Sequence, residues 1–363
     1  MLTSLALPSQ STLLVEGPAS FSLQNGDASV LAAPLVQDLS TSVLQGRTVP
    51  IETVQGCVIE VRLSPGGKHR VVNESTIPTR WREASEIIRQ VKGVAVILGE
   101  VDSGKSTLCT FLANECFHDG TPISIVDGDV GQADIGPPTT ISMSILRHHV
   151  FSLKEVKPDT SLFMGDTSPT LIPDKLTRGL VGLRDLAKSQ SEVTLINTDG
   201  WVRSEEAVAH KVQLLREIHP NLVLVIGGNG EIDSIVEQQI STTLRLARSK
   251  HAATRTREER KRYRESGYKR FLENAKRLDL PLGKVRLRRF NSYSQMKIRE
   301  EENLKGLLSG LLNEDEQLMA IARVENLHNG IVSVKTTLDG YPRIVELGAV
   351  LLSPRYEELG YDS

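Results

Sequence analysis

This chain of 363 residues has few cysteines, no long apolar run and almost no net charge. Each shortage excludes something. Three cysteines (Cys57, Cys109 and Cys116) lie at no metal-ligand spacing and cannot all pair, so neither a disulfide framework nor a thiolate metal site is expected. Cys109 and Cys116 read as packing residues, and a reducing, cytoplasmic setting is the simplest one. No apolar run approaches the roughly 20 residues of a membrane span. The N-terminus has neither the basic region nor the continuous apolar core of a signal peptide. A formal net charge of −2 carries no nucleic-acid signature until its distribution is considered. What remains, with 39% hydrophobic and 24% charged residues, is ordinary globular composition at a length that predicts two or three domains.

The strongest pattern present is Gly99-Glu100-Val101-Asp102-Ser103-Gly104-Lys105-Ser106-Thr107, which fits G-x-x-x-x-G-K-[ST]. Its context suits it. Val94–Leu98 reads as a buried strand, and Leu108, Phe111 and Leu112 recur at helical spacing, so a helix starts near Lys105. Loop and helix-terminal N–H groups then point at anionic oxygens, favoured by the helix dipole. Lys105 is expected to reach the β- and γ-phosphates of a nucleoside triphosphate, and the Ser106 hydroxyl to hold Mg²⁺.

Around this loop the chain divides into three. Residues 1–80 alternate in the strand period, as in Thr12–Val15, Phe21–Leu23, Ala28–Leu31 and Cys57–Leu63, with turn signals between; they predict a small β domain. A short helix over Trp81–Gln90 leads into a P-loop domain over 81–284. Its apolar runs Val94–Leu98, Ile123–Val126, Val193–Asn197 and Leu222–Ile226 alternate with helices, predicting an α/β fold whose parallel sheet is covered on both faces. A basic lid helix is expected at about 248–277. From 285 to 363 the strand pattern returns as a C-terminal β-rich domain, interrupted by a helix over Glu301–Leu312 and including Ala320–Glu325, Ile331–Thr336 and Arg343–Leu347.

Ligands on such sheets bind beyond the carboxyl ends of the strands. Asp127-Gly128-Asp129-Val130-Gly131-Gln132 follows the second strand, where one carboxylate can orient a metal and the other accept a proton. Thr198-Asp199-Gly200-Trp201 follows the third. Asp199 competes with Asp127 for the metal, and Trp201 is either a clamp or a packing residue. The turn Gly165-Asp166-Thr167-Ser168-Pro169 either lines the phosphate path or is an ordinary capped loop. A run of Arg and Lys from Arg245 to Arg289 places Arg257, Arg260 and Arg264 on one side of a helix, as a solvated face, as charge neutralisers for phosphoryl transfer, or as contacts to a nucleic-acid backbone.

The order of these segments resembles the polyribonucleotide 5′-hydroxyl-kinase family, whose eukaryotic members include an RNA cleavage-factor subunit and rRNA-processing kinases. The resemblance rests on the loop Gly99–Thr107, the Asp127–Gln132 segment, Thr198–Trp201 and the arginine-rich segment, and spans the whole chain. It implies a P-loop kinase bracketed by small β domains. The implied reaction moves the γ-phosphate of ATP, with Mg²⁺ at Ser106 and Asp127, to the 5′-hydroxyl of RNA, with DNA as an alternative acceptor. Further RNA-processing proteins are implied partners, and a membrane is not. The resemblance also assigns Asp129 as general base with Gln132 beside the substrate, and Thr198, Gly200 and Trp201, with Thr167, as a clasp on the acceptor. Arg257, Arg260 and Arg264 become candidate lid arginines. Two other functions stand against this one: a non-catalytic ATP-holding scaffold in an RNA-processing assembly, and a switch-type NTPase.

Overall fold

The computed structural model describes residues 2–228, 230–252, 254–291 and 304–361. Two antiparallel sheets form the N-terminal domain. In one, strands Leu2–Leu7, Cys57–Leu63, Ala19–Gly26 and Thr41–Val43 lie side by side; the other runs Ala33–Pro34, Ser29–Val30, Thr48–Thr53, Ser11–Glu16 and Lys68–Val72. Alternation explains the packing: Ala19, Phe21 and Leu23 are buried, while Ser20 and Ser22 between them are half-buried. Helix α1 (Thr79–Val91) follows.

The central sheet has seven strands in the order Thr160–Phe163, Thr140–Ile145, Ile123–Gly128, Val193–Thr198, Gly93–Gly99, Leu222–Ile226 and Thr242–Leu246. Five are parallel: the four expected apolar runs and, beyond them, Thr242–Leu246. The other two, absent from the sequence reading, are antiparallel and make the sheet mixed. After Asp127 the chain turns back through residues 129–139 and needs no crossover helix to pair again. Strand Gly93–Gly99 shows why its run is continuous. Ala95 and Ile97 join a core with α1 and helix α2 (Lys105–His118), whereas Val94, Val96 and Leu98 face helices α3 (Pro173–Lys188) and α4 (Glu205–Ile218). The first of these cores also takes in Leu13, Phe21 and Ile51, so the N-terminal domain shares its apolar interior with the P-loop helix. All three cysteines are buried and unpaired, in keeping with packing roles.

Helix α5 (Gly230–Glu237) precedes the last parallel strand. Helix α6 (Arg257–Leu272) falls within the basic segment expected as a lid at about 248–277. A capping box starts it: Glu259 N–H donates to Thr256 Oγ1 at 3.2 Å and Thr256 N–H to Glu259 Oε2 at 2.7 Å. The C-terminal sheet runs Lys276–Pro281, Ile331–Thr336, Leu318–His328, Leu307–Leu312, Ile344–Leu352 and Arg286–Arg289, with Glu358–Tyr361 added beside Ile344–Leu352. It therefore starts at Lys276, ahead of the boundary expected at 285.

One expectation fails here. The helix over Glu301–Leu312 is not formed in its described part: Leu307–Leu312 is a strand buried on both faces, and residues 301–303 lie outside the described residues. The Leu-Leu-Ser-Gly-Leu-Leu run has apolar residues at both helical and strand spacings, and its pairing with the two neighbouring strands decides for the sheet. Among the described residues no helix is long and apolar enough to cross a membrane.

Candidate active site

The phosphate loop joins its strand to α2 through Gly104, whose φ of 104° only glycine adopts without strain. Lys105 is buried and its ammonium donates to the Gly99 and Glu100 carbonyls at 3.0 and 2.8 Å. Burial lowers its pKa, and Asp129 and Asp199 oppose that shift. Among the described residues Ser103 Oγ is buried without a partner, and Val101 is exposed at the lip of the loop.

Beyond the next strand, Asp127 and Asp129 are held in different ways. Asp127 Oδ2 accepts the Asp134 and Ile135 N–H groups at 2.7 and 3.1 Å, which closes the 129–135 loop. Its Oδ1 accepts from Asn197 Nδ2 at 3.1 Å, and that amide also reaches Ser106 Oγ at 3.4 Å. Asn197 thus links Ser106 to Asp127, leaving its own Oδ1 buried and, among the described residues, unpartnered. Burial pushes the Asp127 carboxyl up to about 7, reinforced by the Asp134 charge.

Asp129 Oδ1 accepts the Gly131 and Gln132 N–H groups at 3.1 and 2.9 Å; among the described residues Oδ2 has no hydrogen bond. Burial raises the Asp129 carboxyl to about 6, with the nearby Lys105 ammonium holding it from going higher. A carboxylate with one oxygen pinned and a pKa near neutrality is suited to accepting a proton.

Asp199 is engaged elsewhere. Lys211 Nζ donates to its Oδ2 at 2.6 Å, and Trp201 N–H to its Oδ1 at 2.8 Å. Burial alone would raise Asp199, but the Lys211 charge and hydrogen bond hold it below the usual carboxylate range. Trp201 stacks on His210, ring centroids 5.5 Å apart, and burial drops that imidazole to about 4. Gly200 sits against the phosphate loop so closely that a Cβ would lie 2.5 Å from Val101 N.

Thr198 is fully buried, and its hydroxyl donates to the Ile97 carbonyl at 2.7 Å, so its side chain ties two strands together. Thr167 Oγ1 lies 2.8 Å from Tyr361 Oη, and the neighbouring Gly165 carbonyl accepts from Ala349 N–H. The turn carrying both is fixed by the C-terminal domain. Through its backbone, Thr167 also packs against Gly131 in the Asp129 loop.

The three lid arginines separate. Arg257 is exposed on the first turn. Arg260 donates to Asp102 Oδ2 at 3.1 Å, on the phosphate loop. Arg264 makes a two-toothed pair with Glu358 of the C-terminal domain, both contacts 2.6 Å, and so serves the domain junction. A shared side of one helix cannot reveal that the helix reaches from one domain to another. Arg255, just ahead of the helix and overlooked for that reason, donates from its backbone to Asp102 Oδ2 at 3.0 Å and from its guanidinium to Gln132 Oε1 at 3.2 Å. Asp102, at a left-handed φ of 58°, is thereby clamped between loop and lid. Asn197, His210 and Lys211 were also missed. A polar residue ending an apolar strand was the one available signal, at Asn197.

Residues 99–274, with this loop, both strand ends and the lid, match the family model described as the mRNA cleavage and polyadenylation factor CLP1 P-loop. The polyribonucleotide 5′-hydroxyl-kinase of Pyrococcus horikoshii is 30% identical over 286 residues, 78% of this chain and 77% of that protein. The chain belongs to the polyribonucleotide 5′-hydroxyl-kinase family. Another of these relatives, the polyribonucleotide 5′-hydroxyl-kinase of Methanocaldococcus jannaschii, is 32% identical over 218 residues, 60% of each chain. A structure of wild-type Clp1p in complex with Pcf11p (454–563) shares the fold, with a TM-score of 0.76 at 10% identity over 97% of this chain and 98% of that one. The family's P-loop is thus the nucleotide-binding element of this kinase-family chain, flanked by β domains on both sides.

Proposed function

We propose that this chain is an ATP-dependent polyribonucleotide 5′-hydroxyl kinase, moving the γ-phosphate of ATP to the 5′-hydroxyl of RNA. One observation carries the reading beyond family membership. Asp129, with a single oxygen left unbonded and a pKa raised to about 6, stands within electrostatic reach of Lys105 on the nucleotide loop. A base placed beside a phosphoryl donor is what a hydroxyl acceptor requires, and a hydrolase switch does not need it in this form. Asp129 takes the 5′-hydroxyl proton as the oxygen attacks. Lys105 leaves the loop carbonyls for the β- and γ-phosphate oxygens. Gly200 and Trp201 present a backbone turn and a stacking face to the acceptor end, while Arg255 and Arg260 bring cationic charge over the loop.

The residues fit a divalent cation. Ser106 Oγ and Asp127 Oδ1 share the Asn197 amide, and the unpartnered Asn197 Oδ1 suits a metal-bound water. Mg²⁺ is usually held by one or two protein groups together with substrate phosphates, so a dense ligand cluster is not required. Among the described residues none is present. When bound, Mg²⁺ neutralises charge on the β- and γ-phosphate oxygens. Asp199, already neutralised by Lys211, is the poorer candidate for this duty.

The test is a transfer assay with γ-labelled ATP, Mg²⁺ and a short 5′-hydroxyl RNA, beside the same RNA carrying a 5′-phosphate. Label is expected only on the 5′-hydroxyl RNA, and Lys105→Ala is expected to remove it. Phosphate released regardless of oligonucleotide would mean a switch NTPase; ATP bound with no product would mean a scaffold. Either result overturns the proposal.

A further inference from the structure

A cavity of about 350 Å³ lies beneath the lid, between the N-terminal loop at Thr41–Val49, the 133–136 turn, the segment around Ser152 and the underside of α6. Three cations line it: Arg47 from the N-terminal domain, Lys154, and Arg270 from the lid. Two carboxylates also line it, and both are occupied. Asp134 accepts from Tyr263 Oη and lies 3.9 Å from Arg47, and Glu155 accepts the Phe151 N–H at 3.0 Å.

Lys154 is the unusual group. Its ammonium sits 3.2 Å from the centre of the Tyr263 ring, and among the described residues its three N–H donors have no hydrogen-bond acceptor. Burial lowers its pKa to about 7, with repulsion from Arg47, Arg255 and Arg270 adding to the shift and Asp134 opposing it. Arg270 is exposed and, among the described residues, lies over the Phe271 ring at 4.9 Å with no ion pair. Three cations share the hollow with two carboxylates that are already engaged, and a partly buried ammonium without a hydrogen-bond acceptor is costly unless an anion is received there.

The position says which anion. Tyr263 is a wall shared with the active site: Arg255, whose guanidinium reaches Gln132, lies 4.9 Å from the same ring that Lys154 covers. Asp134 begins the backbone that closes on Asp127. Asp134 lies on the same 129–135 loop as Asp129, so a strand whose 5′ end sits at Asp129 meets a loop that also walls this cavity.

We infer that the cavity under the lid, lined by Arg47, Lys154 and Arg270, is a subsite for an internal phosphodiester of the acceptor strand. This rests on the kinase reading for the placement of the 5′ end. The three side chains come from three separate segments, so the subsite is complete only when the N-terminal domain and the lid are both in place. It gives the flanking β domain a part in holding the acceptor.

The experiment is direct binding of a fluorescent 5′-hydroxyl RNA 12-mer, measured by anisotropy over a range of salt concentrations. It compares the intact chain, Lys154→Met, Lys154→Arg and Arg270→Gln with Lys188→Met, an exposed lysine ending α3, as control. Lys154→Met and Arg270→Gln are each expected to weaken binding about five- to tenfold. Each should also reduce the slope of log affinity against log salt by about 0.7, the value of one phosphate contact on a single strand. Lys154→Arg should restore most of both. Lys154→Met should raise the melting temperature of the RNA-free protein, because it removes an uncompensated cation. RNA affinity and salt slope matching the Lys188→Met control would overturn the subsite. The two proposals separate cleanly: loss of slope in a chain that transfers no phosphate overturns the kinase reading alone, whereas transfer with an unchanged slope overturns the subsite alone.

Discussion

Asp129→Asn is expected to lower phosphoryl transfer by at least about 10²–10⁴-fold while leaving ATP affinity nearly unchanged. The amide keeps an oxygen for the Gly131 and Gln132 N–H groups, so the loop survives, but it cannot accept a proton. The same carboxylate sets the pH dependence. Its pKa is raised to about 6, so the proton is held into weakly acidic pH and the base is disabled below that value. Log kcat/KM should therefore rise with unit slope up to about pH 6 and level off above about pH 7. Activity in the variant above a few per cent, or a profile flat down to pH 5, would remove Asp129 as the base.

The second large effect concerns stability. Lys211→Met strips the partner from Asp199 in a place where the two side chains are 0% and 4% exposed. A buried carboxylate deprived of its cation costs about 3–5 kcal/mol, far more than the pair adds relative to two apolar residues. Denaturant titration should show a drop of that size, with a shift in Trp201 emission, because Asp199 also accepts the Trp201 N–H. Combining Lys211→Met with Asp199→Asn should recover most of the loss, since the amide carries no charge to desolvate. A single-variant loss under about 1 kcal/mol would show that the pair is not what holds the clasp turn.

These two residues differ in how visible they were. Asp129 announced itself by following an apolar strand in a chain with a phosphate loop, because chain geometry alone brings the carboxyl ends of parallel strands to one edge. Lys211 sits in the middle of α4 with no pattern around it. Only the packing of that helix against the strand before Asp199 turns it from one lysine among many into the partner of a buried acid. His210 became the support of Trp201 through the same packing.

The lid repeats the point. Its existence and basic character were evident from composition, whereas its contacts were not. Arg260 meets the phosphate loop and Arg264 the C-terminal domain, because α6 begins beside Asp102 and its later turns lie against Glu358. Thr198 makes the same point from the other side: its hydroxyl, next to the Gly200 turn, donates to its own sheet.

By itself, the sequence determined the strand–loop–helix that binds a nucleotide, the parallel heart of the sheet and the set of strand ends from which the site is drawn. These follow from local periodicity and from backbone dipoles, which act over a few residues. The tertiary structure decided that Asn197 links Asp127 to Ser106 while Asp199 pairs with Lys211, that Arg255 meets Gln132 while Arg264 meets Glu358, and that Leu307–Leu312 is a strand. It also brought Arg47, Lys154 and Arg270 to one cavity. Each of these depends on burial and on charges from distant segments meeting at a few ångströms, where the energies are large and the intervening sequence carries no trace of them.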